Sequence, residues 1–180
     1  RMVRDIATRL GKKVQLRTHG EATELDKGVI EKIGDPLVHL VRNAIDHGIE
    51  TPEARRRAGK PEQGVVRISA QQEGDHVAIE VRDDGAGIDP DRIRRKAVDK
   101  GLIDDDAAAR LSAEECLQLL FLPGFSTRDE VSDLSGRGVG MDVVQSRIRE
   151  LSGSVQIHSE PGAGSRFAIR VPLTLAILPT

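Results

Sequence analysis

Apolar residues recur at helical spacing at Val3, Ile6, Ala7 and Leu10 and stop at Gly11, which predicts a first helix. Val14, Leu16 and Thr18 alternate, so residues 13–19 read as a strand. Residues 26–48 carry a broken helical pattern. Within it Asp35-Pro36 reads as an N-cap and first-turn proline, with Leu37, Leu40, Val41, Ala44 and Ile45 as the apolar face and Gly48 as the stop. Thr51-Pro52 opens a short helix that ends by Gly59. Val66, Ile68 and Ala70 alternate, as do Val77, Ile79 and Val81, and Glu73-Gly74-Asp75 between them is a hairpin turn. Asp89-Pro90 caps a helix that runs to Lys100 and stops at Gly101, and another helix covers about 113–120. Residues 121–140 lack periodicity and are rich in Gly, Ser and Thr, the mark of a functional or mobile loop. Residues 140–152 are helical, with Val143, Val144, Ile148 and Leu151 facing inward. Val155 and Ile157, a turn at 161–164, then Phe167, Ile169 and Val171 form a second hairpin. Five strands and several amphipathic helices predict an α/β fold, a two-layer sandwich with helices on one sheet face.

Length and composition narrow the class. A chain of 180 residues is one domain's worth, and 38% hydrophobic with 31% charged residues supplies a core and excludes wholesale disorder. The net charge of −2 and only three Phe, with no Trp or Tyr, argue against nucleic acid as a partner. No apolar run is long enough to span a bilayer; Leu173 to Leu178 is far too short. The single Cys116 allows no internal disulfide, fits a reducing, cytoplasmic setting, and reads as a buried hydrophobe in a helix rather than a nucleophile. The chain starts and stops on patterned segments, so it is expected to be a domain cut from a larger protein, monomeric by itself.

Four constellations could carry chemistry. His39, Asn43 and His47 are spaced four apart, which places them on one helix face. An Asn oxygen suits a hard cation such as Mg²⁺, and a histidine one turn away could accept a proton or orient a ligand. A merely solvated helix face is the plainer alternative, and zinc lacks a second ligand pair at matching spacing. Next, the strand ending at Val81 runs into Asp83-Asp84-Gly85-Ala86-Gly87, where a carboxylate could read an amino group such as adenine's and two glycines let the backbone come close. An ordinary Asp-Gly turn is the alternative; a dinucleotide fingerprint is excluded because its third glycine and its parallel crossover are missing. Third, Ser126, Thr127 and Arg128 precede the run Gly136, Gly138, Gly140, which opens a helix and presents free N–H groups to an anion. It is not a Walker loop, and glycines that merely turn the chain remain the competing account. Fourth, Arg92 and Lys96 form a basic pair one turn apart, able to neutralise phosphate or simply to be solvated.

In this order, the Asn-bearing helix, the strand-end Asp-x-Gly-x-Gly, the Gly-rich loop and Gly164-Ser165 opening a strand resemble the Bergerat ATP-binding fold of histidine kinases, type II topoisomerases, Hsp90 chaperones and mismatch-repair ATPases. The stretches His39 to Glu50, Asp83 to Asp89, Pro123 to Thr127, Ser135 to Val144 and Leu173 to Ile177 are similar, more specifically, to the catalytic domain of chemotaxis histidine kinases of the CheA type. The resemblance covers residues 1–177, leaving 178–180 as the start of a following segment, and implies a mixed five-stranded sheet with a long Gly-rich ATP lid. It implies ATP and Mg²⁺ as cofactors, with Asn43 as metal ligand, His39 beside it near metal and phosphates, and His47, Arg92 and Lys96 near the triphosphate. By the same resemblance Asp83 is expected to receive the adenine amino group, Gly85 and Gly87 to shape its pocket, and Ser165 to support Asp83 through its hydroxyl, by way of water. Ser126, Thr127 and Arg128 belong to the lid, and Gly136, Gly138 and Gly140 face phosphate.

The implied activity is γ-phosphoryl transfer to a histidine on a separate phosphotransfer domain, with dimerisation and receptor-coupling domains elsewhere in the parent protein. Sensor kinases and the ATPases of the wider fold typically carry Glu where His39 stands, which favours the chemotaxis-type branch over an ATP-hydrolysing conformational switch. A nucleotide-binding scaffold is the other alternative; the presence of Asn43, Asp83 and the motif glycines argues against it.

Overall fold

The computed structural model describes residues 2–20, 27–125 and 140–172. Helix α1 (Met2–Arg9) leads into β1 (Val14–Gly20), and α2 (Lys27–Asn43) continues into a π-helical turn (Ala44–Gly48). Next come α3 (Pro52–Arg57), β2 (Gly64–Glu73), β3 (His76–Asp83), α4 (Pro90–Asp99), α5 (Asp105–Ala109) and α6 (Ala113–Gln118). A 3₁₀ turn (Leu119–Phe121), α7 (Met141–Glu150), β4 (Ser154–Glu160) and β5 (Gly164–Pro172) complete the order.

The five strands form one sheet in the order β1-β2-β3-β5-β4. β1 runs parallel to β2, and every other pair is antiparallel, so the sheet is mixed. Alternation sends Val77, Ile79 and Val81 of β3 and Phe167, Ile169 and Val171 of β5 to one face, where they are buried against α2, α7 and the 3₁₀ turn. The opposite face carries Arg67, Glu80, Arg82 and Arg166, which matches the expected two layers. Ile45, Leu40, Ile148 and Ile169 are fully enclosed, and truncating any of them to Ala would cost about 2–5 kcal/mol. A second cluster of Ile93, Ala97, Leu119 and Phe125 ties α4 to the 3₁₀ turn.

Cap chemistry is where the local expectations hold. Thr51 accepts from the Ala54 N–H and Pro52 is the first residue of α3, while Asp89 accepts from the Asp91 N–H and Pro90 opens α4. Ser112 and Glu115 form a reciprocal capping box on α6.

Three local readings need correction. Asp35 is not an N-cap: α2 runs unbroken from Lys27 with Pro36 inside it. A proline there removes one helical hydrogen bond, and the burial of Ile33, Leu40 and Val41 around it holds the helix together. The helix pattern breaks later, at Ala44, where the Ile49 N–H reaches back five residues to the Ala44 carbonyl at 2.8 Å. Val143 is half-buried; the inward-facing residue in the first turn of α7 is Met141. The short α5, capped by Asp104, escapes the periodicity because five residues show barely one turn.

Candidate active site

The sheet's core-facing row ends in polar residues. Asp83 pairs in register with Val66 on one side and Ser165 on the other, and Ser165 pairs with Ser159. Asp83 therefore continues the hydrophobic face of β3 by one step, buried at 4% exposure. Its Oδ1 accepts the Gly85 N–H at 2.9 Å, and the Ser165 backbone also donates to the carboxylate. Burial nevertheless dominates and pushes the carboxyl up to about 6, helped by the charges of Asp84 and Glu50. A buried carboxylate with so few donors is an acceptor waiting for a polar hydrogen. The Ser165 hydroxyl itself is paired with the Ser159 hydroxyl at 2.9 Å, and Ser159 also accepts from the Ile88 N–H at 2.7 Å.

The turn after Asp83 folds onto the end of the α2 unit. The Ala86 N–H donates to the Gly48 carbonyl at 2.9 Å. A Cβ on Gly85 would lie 2.0 Å from that carbonyl oxygen, and one on Gly48 would lie 3.0 Å from Asp83 Oδ2. Glycine at 85 is thus required for the two backbones to meet, and at 48 a side chain would crowd the Asp83 carboxylate. Gly87 adopts φ +75°, and a Cβ there would strike the Glu160 carbonyl at 2.3 Å, so this turn also abuts the β4–β5 hairpin.

His39 and Asn43 lie one turn apart, both half-buried. Burial, with the charge of Arg42 second, lowers the His39 pKa, so its imidazole is neutral at pH 7. Asn43 Nδ2 donates to the sulfur of Met141 at 3.0 Å, placing its amide against the start of α7. Gly140 is the N-cap of α7 and offers no side-chain cap. His47, four residues after Asn43, lies within the π turn that begins at Ala44. Its side chain is exposed, 3.7 Å from Asp46. Lys12 supports the π turn from the connection between α1 and β1, donating to the Ile45 and Asp46 carbonyls at 2.8 and 2.7 Å.

Of the basic pair, Arg92 is exposed, and the Lys96 ammonium lies 4.9 Å from the centre of the Phe125 ring. Lys100 also faces that ring and donates to the Phe125 carbonyl. Ser126, Thr127, Arg128, Gly136 and Gly138 lie outside the described residues.

Sequence reasoning misses Arg55, Lys60 and Glu50. Arg55 is 1% exposed and donates to Glu50, Asp84 and the Pro61 carbonyl. Lys60 reaches Glu50 and the Asp84 and Gly85 carbonyls. Nothing marks Arg55 within the run Arg55-Arg56-Arg57, since its partners Glu50, Pro61 and Asp84 all lie outside its helix.

The donor set fits a cation shared with phosphates. Among the described residues no three His, Cys, Asp or Glu side chains gather as a metal site. With its nitrogen committed to Met141, Asn43 offers an oxygen, the atom Mg²⁺ takes, and the remaining ligands would be phosphate and water.

Comparison with known proteins identifies the family. Residues 32–175 match the model of the histidine kinase-, DNA gyrase B-, and HSP90-like ATPases. The chain is 52% identical over 178 residues to the chemotaxis protein CheA of Bacillus subtilis, covering 99% of this chain and 26% of that protein. It is 51% identical to the sensor histidine kinase CheAY of Helicobacter pylori, covering 99% of this chain and 22% of that one. The chain thus spans about a quarter of the length of these relatives. Among solved structures, the histidine kinase domain of the Erythrobacter litoralis EL346 blue-light activated kinase superposes with a TM-score of 0.55 at 15% identity, covering 97% of this chain and 59% of that one. The catalytic domain of histidine kinase ThkA gives 0.55 at 17% identity, covering 96% and 92%. Among the described residues no helix is long and apolar enough to cross a membrane. The chain belongs to the histidine kinase-, DNA gyrase B- and HSP90-like ATPase family.

Proposed function

We propose that this domain binds Mg·ATP and donates its γ-phosphoryl group to a histidine on a separate phosphotransfer domain, as the ATP-binding part of a larger chemotaxis-type kinase. The observation that carries the reading is the meeting of three elements. The buried Asp83 turn, the Gly48 end of the helix bearing His39 and Asn43, and the uncapped start of α7 come together within one fold.

Asp83 accepts the adenine amino group, and Gly85 and Gly87 let the base approach the backbone. The α7 N-terminus at Gly140, with His47, Arg92 and Lys96, faces the phosphates; Ser126, Thr127, Arg128, Gly136 and Gly138 join them in the lid. Asn43 would hold Mg²⁺ with its oxygen, His39 beside it. When bound, the cation neutralises charge on the phosphates. The γ-phosphorus leaves the β–γ bridging oxygen and bonds an imidazole nitrogen of the acceptor histidine, and ADP departs. His39, neutral at pH 7, is suited to take the proton that the acceptor imidazole releases.

The test is to mix the chain with γ-labelled Mg·ATP and an added histidine phosphotransfer domain. Acid-labile label on the added domain is the expected result. Release of free phosphate without labelled partner favours the hydrolysing switch, and neither product would leave a binding module only.

A further inference from the structure

Arg55 is the largest fully buried side chain of the described residues, and it is charged. A buried guanidinium is costly to desolvate, and buried ion pairs seldom outperform apolar packing for stability alone. Its bonds show what it holds. Nη1 donates to Glu50 Oε1 at 2.8 Å and to the Asp84 carbonyl at 3.1 Å, Nη2 to Asp84 Oδ2 at 3.2 Å, and Nε to the Pro61 carbonyl at 2.7 Å. Lys60 Nζ adds Glu50 Oε2 at 2.8 Å, the Asp84 carbonyl at 3.1 Å and the Gly85 carbonyl at 2.8 Å. The other oxygen of Asp84 takes the Val65 N–H at 2.9 Å. The two residues that follow Asp83 are therefore gripped from behind, while Asp83 accepts the Gly85 N–H in front.

We propose that Arg55, with Lys60 and Glu50, is a positioning group that sets the base selectivity of the nucleotide site by fixing the turn from Asp83 to Gly85. The inference rests on the reading of Asp83 as the adenine acceptor. A hydrogen bond to a base amine weakens steeply as its angle and distance drift, so selectivity depends on how firmly the turn is held. Charge acts in the same direction. Burial above all pushes Asp83 toward its neutral form, the Gly85 and Ser165 N–H groups resist, and Asp84 on the turn and Glu50 after the π turn add to the push. Arg55 bonds both of those carboxylates and Lys60 that of Glu50, and the two cations offset them.

The experiment compares binding of ADP and inosine diphosphate, which carries a carbonyl in place of the amino group, by calorimetry on the whole chain. Circular dichroism checks the fold of each variant. The wild type should prefer ADP by roughly tenfold or more, the worth of one buried hydrogen bond. Arg55→Lys keeps the charge but loses the fork; Lys60→Met removes the half-buried partner. Each should weaken ADP severalfold and leave inosine diphosphate within about twofold, so that the ratio collapses. Lys60→Met decides the matter if Arg55→Lys fails to fold. Parallel weakening of both nucleotides, or an unchanged ratio, overturns the proposal and makes the cluster structural. A wild type that does not discriminate the two bases sinks the Asp83 reading and this inference together. If Asp83→Ala abolishes the preference while both cluster variants retain it, the positioning role alone is wrong.

Discussion

The side-chain amide of Asn43 donates to the sulfur of Met141 across 3.0 Å, joining the end of α2 to the first turn of α7. The bond turns the Asn43 oxygen into the free end of the carboxamide, next to a helix N-terminus that no side chain caps. Removing it should separate metal-dependent from metal-independent binding. Asn43→Ala should weaken Mg·ATP by roughly tenfold or more, the scale of one lost charge-assisted contact. ADP binding in chelator should stay within about twofold of wild type, because the base contacts lie elsewhere. Calorimetry with and without Mg²⁺ gives both numbers. Equal Mg²⁺ dependence in the two proteins would remove Asn43 from the metal site.

His39 stands one turn before Asn43 and is kept neutral by burial and by Arg42. Its contribution, if it serves as a base, appears mainly in the transition state. His39→Gln should therefore bind Mg·ATP within a few-fold of wild type while phosphotransfer to an added histidine domain falls by roughly 10²–10⁴. Transfer at the wild-type rate would make His39 a helix residue and nothing more.

Two glycines with opposite surroundings test the docking of the Asp83 turn. Gly85→Ala places a Cβ 2.0 Å from the Gly48 carbonyl oxygen and 2.9 Å from Asp83 Oδ1. Two backbones would have to separate, at a cost of about 1–3 kcal/mol or more, and ADP binding should be lost with them. Gly34, inside α2, faces open space, with nothing within 4 Å of where an added methyl would sit. Gly34→Ala should stabilise by roughly 0.5–1 kcal/mol through helix propensity and leave nucleotide binding unchanged. Denaturant unfolding of both variants checks the pair; a neutral Gly85→Ala would refute the close approach.

The parts of the site that sequence reveals are those built from local rules. Asp83 follows from a strand that ends in a carboxylate before two glycines, and His39 and Asn43 follow from helical spacing. Thr51-Pro52 and Asp89-Pro90 state their helix starts outright. The π turn has no such local signature: Lys12 bonds its carbonyls from the connection after α1, and Gly48 meets Gly85 from another element. Pro36 misleads for the related reason that tertiary packing of Ile33, Leu40 and Val41 overrides a breaker. Arg55 differs from Arg56 and Arg57 in what lies opposite it, namely Glu50 and Asp84, so its role is set by partners outside its own helix.

The charge state of Asp83 yields a prediction in which stability and function oppose each other. Burial pushes its carboxyl up to about 6, whereas an aspartate in an unfolded chain titrates near ~3.9. Between those values the folded protein holds a proton that the unfolded chain has released, so stability falls as pH rises from about 4 to about 6. Above that window the fold carries the full cost of a buried, ionised carboxylate; below it, none. The difference between the two titrations corresponds to about 3 kcal/mol. Asp83→Asn removes the titration and keeps an oxygen for the Gly85 N–H. The nucleotide-free variant should therefore be more stable than wild type at pH 7 by about 1–3 kcal/mol, and the gap should close toward pH 4. Its ADP affinity should nevertheless fall by roughly ten- to hundredfold, because a neutral amide replaces the ionised acceptor of the adenine amine. Urea unfolding at a series of pH values, paired with ADP calorimetry at pH 7, measures both effects. A stability gap that does not change with pH would mean that Asp83 titrates as it does in the unfolded chain. A gain in stability with undiminished ADP binding would mean that the carboxylate is not the adenine acceptor.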